Sequence, residues 1–452
     1  MNSILAEALD LSGSRPVLRD AQLVRRGIDE IVRLAVFGSD DEKALARYAI
    51  HAAAPQLGAV SSSIYGLYQA RGRGEVGGFT VPAVNIRGMA YDMSRALFRA
   101  MKATNSGATV FELARSEMGY TFQEPAEIAA VVLAAAIREE YQGPVFIQGD
   151  HFQANAKKFA TDPESETKAL EDLIRKAVAA QFYCIDIDAS TLVDLSYEKV
   201  ADQQAPNSKL TARLAKLVRE LEPEGVTISV GGEIGEVGKE NSTVEELTEY
   251  VEGFRALVGQ DFEGLAKVSV QTGTSHGGIM LPDGTIASVA IDFETLRELS
   301  RVSREQYGMA GAVQHGASTL PDELFHRFPE VETAEIHLAT GFQNLILDHP
   351  SFPGDLLQEM RQFADRELAD ERKEGESDVQ FFYKTRKKAW GPFKKQTWDL
   401  PVDLRTALGN ELQAKFEFLI RQLKANDTRD ITLQHVKQQV VEVEPPALSV
   451  RA

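Results

Sequence analysis

Three of the eight histidines in this chain stand beside glycine or a carboxylate in short segments that follow apolar runs. They are His151 in Gln148-Gly149-Asp150-His151, His276 in Gly273-Thr274-Ser275-His276-Gly277, and His315 in Gln314-His315-Gly316-Ala317-Ser318. A fourth segment of the same kind, Gly231-Gly232-Glu233-Ile234-Gly235, offers a carboxylate. Imidazole and carboxylate together form the donor set that a divalent metal requires, and Zn²⁺ takes such a set well. Cys184 is the only cysteine, so an intrachain disulfide and a cysteine-based zinc site are both excluded. One histidine of this kind is more often a hydrogen-bonded structural residue. Three in matching positions point to a metal-dependent enzyme.

These segments need elements that bring them to one place. Short β-like runs occur at 79–86, 108–114, 144–149, 184–189, 226–230, 266–271, 312–314 and 334–338. Helical patterns lie between most of them, as at 90–103, 127–140, 167–180 and 208–221. Eight such alternations in roughly 270 residues predict an α/β fold, a (β/α)8 TIM barrel, which typically needs about 250. A doubly wound open sheet is the second choice, and its first-turn glycine fingerprint is missing. In a barrel all strands point the same way. Asp150 and His151 then follow the third strand, Glu233 the fifth, His276 the sixth and His315 the seventh, on one shared face. Residues 1–75 read as a helical N-terminal extension, 76–350 as the barrel, and 351–452 as a mostly helical C-terminal extension.

The segments after strands seven and eight, Gly316-Ala317-Ser318-Thr319 and Ala339-Thr340-Gly341, occupy the usual phosphate corner of such barrels. Small residues let backbone N–H groups approach an anion, and Ser318 and Thr340 add hydroxyls. Gly277-Gly278 extends the same cradle. Two ordinary tight turns are the plainer alternative.

The net charge of −18 excludes a chain-wide nucleic-acid surface, and an anionic substrate then needs its own local cations. No run approaches about 18 apolar residues, so no membrane span is expected. No signal peptide is visible at Met1-Asn2-Ser3-Ile4, and a cytoplasmic location is expected. One segment departs from the acidic whole. Between Ser377 and Trp398, six cations (Lys384, Arg386, Lys387, Lys388, Lys394, Lys395) mix with Phe381, Phe382, Tyr383, Trp390, Phe393 and Trp398. Base stacking is conceivable on such a surface. A subunit interface, or a lid that supplies phosphate-binding cations, fits the acidic chain better.

The same residues carry a family resemblance. Val81-Pro82-Ala83-Val84-Asn85, Asp150-His151, Ile187-Asp188-Ala189-Ser190, Glu233-Ile234-Gly235, Ser275-His276-Gly277 and His315-Gly316-Ala317-Ser318 occur in an order similar to class II, metal-dependent fructose-bisphosphate and tagatose-bisphosphate aldolases. The resemblance spans about residues 79–342 and implies zinc held by His151, Glu233, His276 and His315. It implies Asp150 as the acid/base at the cleaved bond, and Asn85, Gly277, Gly316, Ser318 and Thr340 as substrate or phosphate contacts. It also implies reversible retro-aldol cleavage of a phosphorylated ketose to dihydroxyacetone phosphate and an aldehyde through a zinc-stabilised enediolate. A homo-oligomer is expected, with a sugar phosphate as the partner and neither nucleic acid nor membrane.

Three features depart from the family pattern. The proton-transfer loop reads Glu236-Val237-Gly238-Lys239-Glu240-Asn241, with Asn241 at the position of the family's acid and Glu240 or Glu236 as its substitute, Glu240 being the one assigned. The eighth strand shows His337 and Ala339 where Asn and Asp are usual. The two extensions exceed the family's length, and the C-terminal part is similar to the non-catalytic Z-type subunits of tagatose-bisphosphate aldolases. A supporting Z-type subunit and a metal-dependent sugar-phosphate epimerase are therefore the alternative functions. The histidine set favours an active, divergent aldolase.

Overall fold

The computed structural model describes residues 7–10, 16–235, 240–273, 280–281 and 291–447. Eight parallel strands form the centre: β1 (Val81–Asn85), β2 (Val110–Ala114), β3 (Gly143–Gln153), β4 (Cys184–Asp188), β5 (Ser229–Gly235), β6 (Lys267–Val270), β7 (Ala312–Gln314) and β8 (Glu335–Leu338). Each pairs with the next, β8 pairs with β1, and β3–β4 pairing completes a closed barrel. Closure rules out the open doubly wound sheet. A short strand, Ala59–Ser61, adds to the start of β3 from outside.

Two strands differ from the sequence expectation in a way that matters for the site. β3 runs on past Gly149 to Gln153, and β5 lies at 229–235 rather than 226–230. Asp150, His151 and Glu233 thus sit within strand ends, not beyond them. Side chains normally alternate between the faces of a strand. In β3 the pairing with β4 slips between Gly149 and Phe152, and His151 adopts a left-handed φ of 39°. That bulge turns two consecutive side chains, Asp150 and His151, toward the same mouth. The pairing of β5 with β6 slips likewise between Glu233 and Gly235.

The barrel interior is unusually polar. Glu112, Gln148, Asp186, Lys267 and Glu335 all point inward and are buried. Lys267 Nζ lies 2.8 Å from Asp186 and 2.8 Å from Gln148 Oε1, and it also bonds Glu335. Gln148 Nε2 donates to Glu112 at 2.8 Å and to Glu335 at 2.9 Å. Burial opposes the charge on Lys267, but Asp186 and Glu335 outweigh it and hold the ammonium above its ordinary pKa. A buried cation with two carboxylates is tolerable only when saturated with partners in this way.

Outside the barrel, helix Pro125–Arg138 carries the run Ile128-Ala129-Ala130-Val131-Val132-Leu133-Ala134-Ala135-Ala136-Ile137, every residue of it buried. A helix apolar on all sides must be covered on all sides. The cover is helices Ala21–Phe37 and Asp40–Gln56, which pack against it. Asp20 caps the first of these, and a Ser39–Glu42 capping box starts the second. At the other end of the chain, helix Val402–Gln422 buries Leu408, Leu412, Phe416 and Leu419 and packs on helix Ala90–Ala103, with the Phe416 ring 4.7 Å from that of Phe342. Among the described residues no helix is long and apolar enough to cross a membrane.

Candidate active site

A cavity of about 450 Å³ opens at the strand C-terminal end, lined by Asn85, Asp150, His151, His315, Gly316, Ser318, His337 and Thr340 among others. The expected residues meet there. The rings of His151 and His315 are 4.0 Å apart, and donor atoms of Asp150, His151 and His315 lie within 4.8 Å of one another. Glu233 Oε2 is 2.9 Å from His151 Nδ1, and Asp188 Oδ2 is 3.0 Å from the same nitrogen. His276 and Gly277 lie outside the described residues. Glu240 is exposed and does not line the cavity, while Asn241 donates to Asp292 at 3.2 Å.

Two imidazoles and a carboxylate at this spacing fit a divalent ion. A carboxylate on the far ring nitrogen is the usual orienting partner of a metal-binding histidine. Asp188 holds His151 in that way, which turns His151 Nε2 toward Asp150 and His315. A second triad, His151, Asp188 and Glu233, meets the same distance limit.

The packing of the cluster sets the direction in which each of its groups is shifted. Burial opposes charging His151, but Glu233 and Asp150 hold its pKa well above the usual histidine range. Burial and the neighbouring cations of His151 and His337 push His315 well below that range. For Asp150, burial favours the neutral acid, but His151 and His337 outweigh it and keep the carboxylate ionised. Glu233, buried beside Asp188, is raised to about 7. The cluster thus keeps positive charge on imidazoles where a cation would serve, beside an ionised Asp150.

Asp150 is also held from two other sides. Asn85 Nδ2 donates to its Oδ2 at 3.0 Å, and His337 Nδ1 stands 3.1 Å from its Oδ1. His337 Nε2 in turn meets Glu335 Oε1 at 2.6 Å, and so joins the mouth to the polar barrel interior. The phosphate corner is compact. Gly341 N donates to Ser318 Oγ at 3.2 Å, and a Cβ on Gly341 would stand 2.3 Å from Ser318 O. Thr340 Oγ1 accepts from Arg87 at 3.2 Å, and Arg87 is also paired with Glu117.

Sequence reasoning passed over Glu112, Asp186, Lys267, Glu335, Arg87 and Glu117. A signal was present for the interior group. A parallel strand buried on both faces should read as continuous apolar sequence. Here Gln148 and Asp150, Asp186 and Asp188, and Glu335 and His337 each stand two apart, so each pair shares the inward face.

Several known proteins are similar to this chain. The chain matches a solved structure described as a probable tagatose 6-phosphate kinase from Sinorhizobium meliloti 1021 at 16% identity. The TM-score is 0.55, with 79% of this chain and 98% of that one covered, and the shared feature is the fold. It is also similar to a fructose-bisphosphate aldolase from Campylobacter jejuni (14% identity, TM-score 0.47, 82% of this chain and 96% of that one). A third match is the YdjI aldolase from Escherichia coli K12 (14%, 0.46, 81% and 98%). No curated protein matches the chain by sequence. The model of the family "Fructose-bisphosphate aldolase class-II" matches residues 71–389, which contain all eight strands and the whole described cavity. This membership supports an aldolase-type function. With the barrel, the histidine and carboxylate mouth and that match in agreement, the chain belongs to the class II fructose-bisphosphate aldolase family.

Proposed function

We propose that the protein is a zinc-dependent aldolase that cleaves a phosphorylated ketose to dihydroxyacetone phosphate and an aldehyde, and runs the reverse condensation. The observation that carries this reading is the convergence of Asp150, His151 and His315 at the barrel mouth. His151 and His315 would hold the ion, with His276 and Glu233 the further ligands expected from sequence; Glu233 stands against His151 Nδ1, the nitrogen away from His315. When bound, the ion would supply a Lewis acid for the substrate ketone.

The chain's own residues supply the remainder. Asp150, buried beside His315 and His337, takes the proton of the C4 hydroxyl as the C3–C4 bond breaks and its electron pair moves toward the ketone. Asn85 and His337 fix the carboxylate's direction, so that it presents one oxygen to the substrate. Ser318, Gly316 and Thr340 receive the phosphate. Glu240 is the residue we assign to return a proton at C3, on sequence grounds alone.

Metal analysis combined with a triose-phosphate assay tests this reading. The purified protein should hold about one zinc ion per chain and release dihydroxyacetone phosphate from a ketose phosphate. His151→Ala should lose both. Full turnover after EDTA treatment would overturn the metal-dependent reading. A protein with neither metal nor turnover that stabilises a separate aldolase subunit would establish the supporting-subunit alternative. Turnover to an isomeric ketose without triose products would establish an epimerase.

A further inference from the structure

The basic, aromatic segment 377–398 is not a free surface. Phe381, Phe382, Tyr383, Trp390 and Trp398 are buried. Five of its six cations are committed to ion pairs. Lys384 meets Glu376 at 2.7 Å, Arg386 meets Asp348 at 2.5 Å, Lys388 meets Glu371 at 2.5 Å and Lys395 meets Asp399 at 2.6 Å. Lys394 pairs with Glu127. Lys387 is the sixth. It lines the active-site cavity, is half-buried, and has no hydrogen-bond or ion-pair partner among the described residues.

The segment is fixed against the loop after β1. A Cβ on Gly88 would lie 2.4 Å from the Trp390 ring, so only glycine permits this contact. Trp390 Nε1 donates to Gln343 at 3.1 Å, and Gly391 N donates to Tyr120 O at 3.1 Å. Lys387 is therefore brought to the neighbourhood of Arg87, the residue before Gly88. The other cations of the cavity are differently placed. Arg87 and Arg115 are paired with Glu117 and Glu166, and Lys158 is exposed to water. Burial, with the like charges of Arg87 and Lys388, holds the Lys387 pKa below its ordinary value against the opposing charges of Glu117 and Glu371. A half-buried ammonium with no carboxylate in hydrogen-bond or ion-pair contact among the described residues, on a cavity that Arg87 also lines, is stabilised when an anion enters.

We propose that Lys387, delivered by the segment that follows the barrel, forms with Arg87 and Thr340 an anion subsite on the β1/β8 side of the mouth, which takes a phosphate of the substrate. This assignment rests on the aldolase reading for its substrate, but the anion site can be measured apart from catalysis. The C-terminal extension then contributes a residue to the active site and does more than cover the barrel.

Inorganic phosphate is the probe, added to the full-length protein and followed by calorimetric titration and thermal unfolding. Lys387→Met should weaken phosphate binding by roughly ten- to a hundredfold, as expected for one charge-assisted contact. Lys387→Arg should retain most of it. Lys395→Met, which removes a lysine already paired with Asp399, should leave binding unchanged. Phosphate should raise the melting temperature of the wild type and not that of Lys387→Met. Without phosphate, Lys387→Met should melt no lower than wild type, because it removes an unpaired charge. A structural lysine would show the reverse, a lower melting temperature with phosphate affinity intact, and that result would overturn the proposal. So would equal losses of binding in Lys387→Met and Lys395→Met. If phosphate binding depends on Lys387 but no ketose phosphate is cleaved, the subsite stands and the aldolase reading falls.

Discussion

Asp150 takes its role from its immediate neighbours. A carboxylate buried at this depth would ordinarily hold its proton, and here two imidazoles reverse that preference. Asn85 and His337 approach it from β1 and β8, while the β3 bulge carries His151 beside it. In the proposed reaction the group would act as a base beside the metal ligands without needing to be one of them. Asp150→Asn keeps the shape and removes the base. The expected result is a fall in kcat of about 10²–10⁴-fold, with KM for the ketose phosphate within a few fold and zinc content unchanged. Loss of zinc in Asp150→Asn would show instead that this carboxylate is a ligand. Asp150, His151 and His315 were legible in the sequence because glycine and histidine at the end of an apolar run are conspicuous. His337 was legible only as a departure from the family pattern. Its task became visible when β8 closed on β1 and brought it within 3.1 Å of Asp150.

Strand number, order and direction could be read from the alternation of apolar runs and helical patterns, because those patterns are local. The bulge in β3 and the later start of β5 could not. Both depend on how neighbouring strands share hydrogen bonds, and no local periodicity records that. Long-range ties between elements were hidden for the same reason. His51, on helix Asp40–Gln56, meets Gln181 Oε1 at 3.2 Å, and Gln181 Nε2 donates to Val441 O at 2.9 Å. One hydrogen-bonded chain thus links the N-terminal helices, the turn before β4 and the C-terminal tail. Burial holds the His51 pKa down at about 4, against 6.5 for a free histidine. The unfolded chain therefore binds this proton more readily than the folded one. Stability from His51 is fully present above pH 6.5 and is lost as the pH falls toward 4. Between pH 7 and pH 5 that loss should be about 2 kcal/mol in urea unfolding. His51→Gln keeps a hydrogen-bonding side chain that does not titrate, so its pH dependence across this window should be flatter by that amount. An identical pH slope in the two proteins would remove His51 as the cause.

Across the whole molecule the two extensions answer to one constraint, the covering of apolar faces on the barrel's outer helices, Pro125–Arg138 and Ala90–Ala103 above all. The expectation of a basic segment open to a lid or an interface was formed from composition. Composition does not show that Glu371, Glu376, Asp348, Glu127 and Asp399 neutralise five of its six cations from elsewhere in the chain. The same holds for helix Val402–Gln422. Its sequence shows an amphipathic pattern, and the structure supplies the opposing surface on helix Ala90–Ala103, where Arg99 donates to Gly409 O at 3.0 Å. Leu408, Leu412, Phe416, Leu419 and Ile420 of this helix are each buried. At about 1.5–3 kcal/mol for each side chain, their burial contributes on the order of 10 kcal/mol, comparable with the entire stability of about 5–15 kcal/mol usual for a folded protein. A barrel ending at Pro353 should therefore not fold as a cooperative unit, even though it retains all eight strands and the histidines of the mouth. Near-UV circular dichroism and urea unfolding of such a truncation should show loss of fixed tertiary structure. Phe416→Ala in the full chain should cost about 3–5 kcal/mol with the fold intact. A truncated barrel that unfolds with the same midpoint as the full chain would mean that the extension is an appended domain, and the coupling between residue 387 and the barrel mouth would lose its structural basis.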